Sequence, residues 1–416
     1  MADPGVVALP VRVDWRRNLA ALWLAEFTAI LGFSFAFPFL PLFLHRELHV
    51  PSGSQLAFWT GISASVTGLS LAATSPLWGA LADRYGRKPM LIRAMVGGGI
   101  AVGLMGLSQN VLQLTGLRFL QGAASGTVAA ATALVASETP TPNMAWSLGV
   151  VSSAIALGGA VGPALGGAAA EVFGLRVVFI VGGILLVLAT VPVLMVVRES
   201  RGRLRQRRDA RVLDVLRAAR PGTVASLAVL VVAELLLQSS YTSAQQLVGL
   251  RVLQLSPLNA PTLTGIAFGA AGVVTAFAGV TYSRAVRLSG YRLLTTTAAL
   301  VLAIAIAGAA LSPSIVPLIA SFVAGSLMYG ALIPALTSMV GLETPASVQA
   351  TVYGVSSGAV ALGFGFGPLT GGLIASSSVG VMGGLVVSAS VALALTLLLG
   401  LRAREPVPVR PILPVR

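Results

Sequence analysis

The sequence predicts an all-α integral membrane protein: twelve transmembrane helices in two six-helix halves related by a pseudo-two-fold axis. Three observations predict it. Of 416 residues, 56% are hydrophobic and only 10% are charged, whereas soluble domains carry roughly 25% charged residues. Apolar runs of about 20 residues, long enough to cross the hydrocarbon core, recur along the chain. A glycine–proline pattern also recurs: Gly158, Gly162, Pro163, Gly166 and Gly167 return 205 residues later as Gly363, Gly367, Pro368, Gly371 and Gly372. Glu138-Thr139-Pro140 returns at the same offset as Glu343-Thr344-Pro345.

The first span, 19–44, follows Arg12, Arg16 and Arg17 and ends on Phe37-Pro38-Phe39-Leu40-Pro41. No small-residue cleavage site follows this long run, so it is expected to stay in the protein rather than act as a signal peptide. The second span, 57–80, runs into a basic turn. Spans at 90–108, 111–137, 144–170 and 176–197 complete a first half, 1–197. An arginine-rich linker, 198–221, comes next. The second half, 222–416, repeats the plan at 222–249, 261–283, 293–311, 314–340, 347–374 and 380–401. The 47 glycines and 23 prolines suit membrane helices, where small residues let backbones approach.

The net charge of +14 is explained by topology. With both termini inside, 23 of the 27 basic residues fall on the inner side and three (Arg46, Arg176, Arg251) on the outer. This asymmetry places both termini in the cytoplasm. One cation, Arg118, falls within a span. The linker run Arg201, Arg203, Arg205, Arg207, Arg208 and Arg211, followed by Val212, Leu213, Val215 and Leu216, reads as an amphipathic helix on anionic headgroups. It is short and lacks aromatics, so no nucleic-acid partner is expected. There is no cysteine, hence no disulfide or thiolate metal site. The two histidines, His45 and His49, offer at most a weak metal pair, and no cofactor or metal is expected.

Eleven of the thirteen acids fall in tails, loops or span ends; Glu26 and Glu234 lie well inside apolar spans. A charge at that depth costs a few kcal/mol or more and usually faces a cavity or a partner. Glu234, Gln238, Tyr241 and Gln245 share one face of the seventh helix. That stripe reads either as the wall of a water-filled path or as hydrogen-bonding glue between helices. Glu26 shares its face with Trp23, Ile30, Phe33 and Phe37. An acid beside aromatics suits a lipophilic, cationic substrate or a proton carrier; the bland reading is a structural carboxyl. Arg118 has Gln121, Gly122 and Ser125 on its face. It reads as a partner for an acid, or as a side chain snorkelling to the outer interface.

The turn after the second span reads Gly79-Ala80-Leu81-Ala82-Asp83-Arg84-Tyr85-Gly86-Arg87-Lys88. Gly79 would let the helix end approach a neighbour and Gly86 would permit a tight turn. Asp83 would accept hydrogen bonds from a helix N-terminus or an arginine, and the cations would hold the turn at the inner surface.

This segment resembles motif A of the major facilitator superfamily. Leu117-Arg118 through Gln121-Gly122 resembles its motif B, Gly158 to Gly167 its motif C, and Phe37 to Pro41 a signature of drug:proton antiporters. Most of the chain resembles the bacterial twelve-helix multidrug efflux transporters of that superfamily. The resemblance implies that Asp83, with Arg84, Gly86 and Arg87, latches the cytoplasmic side in the outward-open state. It implies proton coupling at Arg118. It implies that Gly158, Gly162, Pro163 and Gly166 shape the contact of the fifth helix with the other half. The second-half copy departs from this pattern: Arg287 stands where Asp83 falls, and Val323 where Arg118 falls. Glu26 and Glu234 belong to none of these motifs.

The function expected is export of small lipophilic organic compounds in exchange for protons, by alternating access about a midplane site between parallel repeats. The setting expected is the inner membrane of a bacterium, with the protein working as a monomer. Export of an endogenous sugar or metabolite is the alternative, and the apolar, aromatic first helix argues against it. A non-transporting sensor or scaffold would call for a soluble domain or long tails. An enzyme is not expected, because no nucleophile–histidine pair or phosphate loop is present.

Overall fold

A computed structural model describes residues 14–200, 222–345 and 348–406. The linker arginines 201–211 and most of both tails lie outside the described residues. All regular structure among the described residues is helical. Twelve helices among the described residues are long and apolar enough to cross a membrane. They are α1 (Trp15–Arg46), α2 (Ser54–Tyr85), α3 (Arg87–Met105), α4 (Val111–Glu138), α5 (Trp146–Phe173) and α6 (Leu175–Met195). The second set is α7 (Thr223–Leu255), α8 (Ala260–Ser289), α9 (Tyr291–Leu311), α10 (Ile315–Glu343), α11 (Thr351–Ala375) and α12 (Gly380–Arg402).

Several helices outrun the expected spans. The 32 residues of α1 rise about 48 Å at 1.5 Å each, more than a core of about 30 Å requires. Asp14 caps its start, accepting from the backbone N–H of Arg16 and Arg17. Near its other end Pro38 and Pro41 impose a 3-10 turn at Phe37–Phe39. Gly126, at φ 120, breaks α4. The expected loop after the second span is corrected: Asp83, Arg84 and Tyr85 continue α2. Gly86 alone makes the turn, at φ 99, a region open to glycine.

The bundle has a basic end, carrying the start of α1, the end of α12 and the α2–α3 turn, and a far end. Within each half α5 packs on α1 and α11 packs on α7. Between halves, α2 packs on α11 and α5 on α8. Those crossings sit toward the far end. A Cβ on Gly61 of α2 would stand 2.7 Å from Gly372 Cα and 2.9 Å from the Pro368 carbonyl. A Cβ on Gly265 of α8 would stand 3.0 Å from Gly167 Cα and 2.9 Å from the Pro163 carbonyl. Backbones this close gain dispersion and Cα–H···O contacts, the forces available when lipid is as apolar as the side chains.

Toward the basic end the halves part. Gly79, Gly149, Gly354 and Gly358 have open space where a Cβ would sit. The apolar core divides in the same way. Phe39, Phe43 and Leu56 of the first half join Leu247, Leu250 and Leu253 of the second in one cluster. Leu19, Leu22, Leu91, Met95 and Leu134 form another that belongs to the first half alone. Arg46 ties the far end shut, donating to the carbonyls of Pro257 and Leu258 across the two halves.

Candidate functional site

Midway along the first half, α4 carries Arg118 inward, where it is only 3% exposed. Its Nε donates to the Ser63 carbonyl at 3.1 Å and one Nη to Gln121 Oε1 at 2.8 Å. The guanidinium lies 4.9 Å from the Phe37 ring centroid, and Phe37 stacks on Phe33 at 5.3 Å. The other Nη is buried with no hydrogen-bond partner among the described residues. The snorkelling reading of Arg118 is thereby corrected: the side chain turns into the bundle, where main-chain and amide oxygens replace water.

Glu26 is fully buried, and neither carboxyl oxygen has a hydrogen-bond partner among the described residues. An unpaired carboxylate there would carry a large desolvation cost. The neighbouring aromatics are otherwise engaged: Trp23 stacks on Phe27 and donates to Ser153 Oγ at 3.0 Å. Among the described residues the ion pairs are Asp14–Arg17 and Glu47–Arg176, so Glu26 and Arg118 are not joined.

In the second half the polar stripe of α7 turns toward α10 and α11. Glu234 accepts from Ser356 and, at 3.4 Å, from Thr337. Tyr329 donates to Gln238 Oε1 at 2.8 Å. Tyr241 donates to Ser326 Oγ at 3.0 Å and stacks on Tyr329 with centroids 3.6 Å apart. Of the two readings of the stripe, Gln238 and Tyr241 fit the hydrogen-bonding one in this structure: both are buried and bond α7 to α10. Tyr329 and Ser356 complete this network. Neither stands out in sequence, because each lies on a different helix from the side chain it bonds, Gln238 for Tyr329 and Glu234 for Ser356.

Gln245, the last residue of the stripe, does reach the interface between halves. It lines a notch with Gln246, Phe37, Pro38, Pro41 and Phe268. This notch closes the space between the halves from the far side. Beyond it, at the far face, a cavity of about 380 Å³ is lined by His45, Leu250, Leu253 and Gln254. His45 Nδ1 is 3.0 Å from the Val50 carbonyl. No group of three or more potential metal ligands occurs among the described residues.

At the basic end the motif residues face their own half. Gly79 has open space where a Cβ would sit, so its expected approach to a neighbour is not made; Asp83 makes no hydrogen bond or ion pair among the described residues. The N-terminus of α3 is instead held by Glu199, which accepts from the backbone N–H of Arg87 at 2.8 Å and Lys88 at 3.0 Å. Arg87 also donates to the Ala133 carbonyl, Lys88 to that of Val197 at 2.7 Å, and Arg84 lies over Tyr85. Glu405 repeats the arrangement in the second half, accepting from Arg292 N at 2.8 Å.

The α5 glycines divide between two partners. Gly158, Gly162 and Gly166 pack on Phe27, Leu31, Ser34 and Phe35 of α1, in their own half. Gly167 and the Pro163 carbonyl meet Gly265 in the other half. The expected contact with the other half is therefore corrected for the first three: the 158, 162, 166 spacing marks the α1 face.

A family model described as Major Facilitator Superfamily matches residues 22–285. The multidrug resistance protein MdtG of Escherichia fergusonii is 43% identical over 188 residues, 45% of this chain and 46% of the relative. The Escherichia coli protein of that name matches to the same extent. The match thus spans about half the length of these relatives. Among solved structures, a human organic anion transporter is 19% identical with TM-score 0.68, covering 93% of this chain and 99% of that one. A bacterial homologue of the human lysosomal transporter Spinster, inward-facing and unoccupied, is 15% identical with TM-score 0.70, covering 92% and 94%. A POT family transporter in complex with 5-aminolevulinic acid is 14% identical with TM-score 0.76, covering 94% and 96%. At such identities the likeness shows the fold.

Proposed function

The chain belongs to the major facilitator superfamily, a family of transporters and not of enzymes, and from that premise we propose that it exports small lipophilic organic compounds in exchange for protons. One observation carries the reading. The halves are joined by close backbone crossings at the far end and parted at the basic end, around buried groups at mid-depth. That is the geometry of one state of a rocking bundle, with residues 1–197 and 222–416 as the moving units and 198–221 as the linker. Rocking about the midplane would expose Phe33, Arg118, Gln121 and Gln245 to each side in turn.

The names of the 43% identical relatives support drugs as cargo. The basic residues at the open end support a cytoplasmic placement of that end in a bacterial inner membrane. In this state Asp83 has no partner among the described residues, consistent with a latch that engages when the basic end closes. Glu26 and Glu234 are the acids placed to carry protons, and Arg118 the cation placed to influence them. A transmembrane potential of 100 mV supplies ~2.3 kcal/mol per charge moved, enough for roughly fiftyfold accumulation. The test is the purified monomer in vesicles with a lipophilic cationic dye and an imposed pH gradient. Dye movement that follows the gradient and stops when it is collapsed is expected. Dye distribution indifferent to the gradient overturns the reading.

A further inference from the structure

The cavity at the far face belongs to neither half alone. His45, Ser52 and Leu56 supply one side of its wall and Leu250, Leu253 and Gln254 the other. At about 380 Å³ it falls in the range of small-molecule sites, roughly 300–1,000 Å³. The three leucines are buried and make the wall between them apolar. Its polar groups are few and distinct. Nδ1 of the half-buried His45 lies 3.0 Å from the Val50 carbonyl. A carbonyl only accepts, so Nδ1 carries the proton and Nε2 of the neutral ring is left as an acceptor. Nε2 has no hydrogen-bond partner among the described residues and is not sealed off by protein. Gln254 Oε1 accepts from Arg251 at 3.3 Å, which leaves the amide N–H groups to donate. Ser52 adds an exposed hydroxyl. An acceptor and two donors thus stand beside an apolar wall, in a space large enough for an organic molecule.

We propose that this cavity binds a small neutral phenol, and that its occupant clamps the far end shut. The phenolic O–H donates to His45 Nε2, its oxygen accepts from Gln254 or Ser52, and the ring lies against the leucines. No acid lines the cavity, and Arg46 beside His45 and Arg251 beside Leu250 are cations, so an ammonium would lose its water without a counter-ion. A carboxylate would set its lone pairs against that of Nε2. A sugar would leave hydroxyls unmet against the leucines. The clamp rests on the transporter reading above. Both halves build the wall, so the site exists only while they are joined, and a ligand that binds one state shifts the equilibrium toward it.

The test compares two compounds of one shape: 2-naphthol carries the hydroxyl, and 2-methylnaphthalene replaces it with a methyl group. Binding of each to the full-length protein in lipid nanodiscs is measured by equilibrium dialysis against empty nanodiscs. Naphthol should bind saturably and about tenfold tighter than methylnaphthalene. The advantage should vanish in His45→Phe while the hydrocarbon binds unchanged. Gln254→Leu should lose a few-fold of it, and serves if the phenylalanine variant elutes unfolded. At ten times its dissociation constant, naphthol should slow far-side thiol labelling of the Ala64→Cys protein about tenfold. No saturable binding of naphthol, equal binding of the two compounds, or an advantage kept in the variants overturns the site. Labelling at the unliganded rate overturns the clamp. The transporter reading fails by a different result: dye movement in vesicles free of naphthol that ignores the pH gradient, whatever naphthol binds.

Discussion

Gly372→Ala adds one methyl group where α2 and α11 cross, and the consequence can be worked from distances. The new Cβ would stand 2.5 Å from Gly61 Cα and 3.0 Å from the Ala57 carbonyl and Gly61 nitrogen. These are backbone atoms of a helix and cannot rotate away. Carbon–carbon contacts are comfortable from about 3.5 Å, so the helices must separate by about 1 Å at the far end. Overpacking of this kind costs about 1–3 kcal/mol. The cost falls on the far-end-closed state alone, because the crossing parts when that end opens. Alanine's advantage in a helix, up to ~1 kcal/mol, applies in both states and cancels. The equilibrium should therefore move toward the far-end-open state by roughly 5- to 150-fold, at 1.4 kcal/mol per factor of ten.

The assay is direct because the chain has no cysteine. Ala64, 5% exposed at the closing notch, is replaced by cysteine and labelled by a membrane-impermeant thiol reagent supplied from the far side. Gly354→Ala is the control, since its Cβ meets nothing within 4 Å on the same helix. Labelling should speed at least fivefold in Gly372→Ala and stay unchanged in Gly354→Ala. Equal rates in Gly372→Ala and the unaltered protein would show that this crossing does not govern closure, and the argument from backbone contact would fail.

Three further outcomes are expected. Arg46→Ala, which removes the donors to the Pro257 and Leu258 carbonyls, should raise far-side labelling of the same cysteine by a few-fold, about 1 kcal/mol for exposed hydrogen bonds; labelling at the parent rate refutes it. Glu199→Ala should lower thermal stability by about 1–2 kcal/mol, as lost helix caps do. Glu405→Ala should do likewise, and the double variant should lose the sum, because the caps lie on different helices; thermal unfolding in detergent reads all three. Glu26→Gln should fold as well as the parent, since the carboxyl has no hydrogen bond to lose. Glu234→Gln should cost stability through Ser356 and Thr337. Both should weaken pH-gradient-driven dye movement, and unimpaired movement in both removes these acids from the coupling scheme.

The twelve helices were legible because hydrocarbon imposes a minimum length on every span and loops must carry the charge. Differences at the ends arise because helices project past the apolar layer, where composition no longer distinguishes helix from loop; Asp83 to Tyr85 is such a place. The polar stripe of α7 was legible as a periodicity, but not its direction. A stripe faces whatever helix packs beside it, and Tyr329, Thr337 and Ser356 sit roughly 90 to 120 residues away in the chain. Glu199 escaped for the same reason. It closes the N-terminus of α3 from beyond α6, and an acid in a basic tail carries no local mark of that task. Gln246 differs from Gln245 by one residue, yet only the packing distinguishes an amide that is unmet among the described residues.

The repeated Gly–Pro pattern was legible as a repeat, and its physical content emerges only from the crossings. Proline lacks an N–H and so leaves the carbonyl four residues earlier without its helical bond. For Pro163 that carbonyl belongs to Gly159, and a Cβ on Gly272 of α8 would stand 2.8 Å from it. For Pro368 it belongs to Phe364, and a Cβ on Gly68 of α2 would stand 2.5 Å from that carbonyl carbon. Each proline thus frees an acceptor at the interface between halves, and the opposite half presents a glycine whose Cα–H can reach it. One turn further on, Gly167 meets Gly265 and Gly372 meets Gly61. The same device is built twice, once from each repeat, on opposite sides of the pseudo-two-fold axis. Two matched crossings at one end constrain the halves to rotate about that end and resist sliding. The glycines facing α1 and α7 hold α5 and α11 rigidly to their own halves, so that the rotation is passed to the whole of each half.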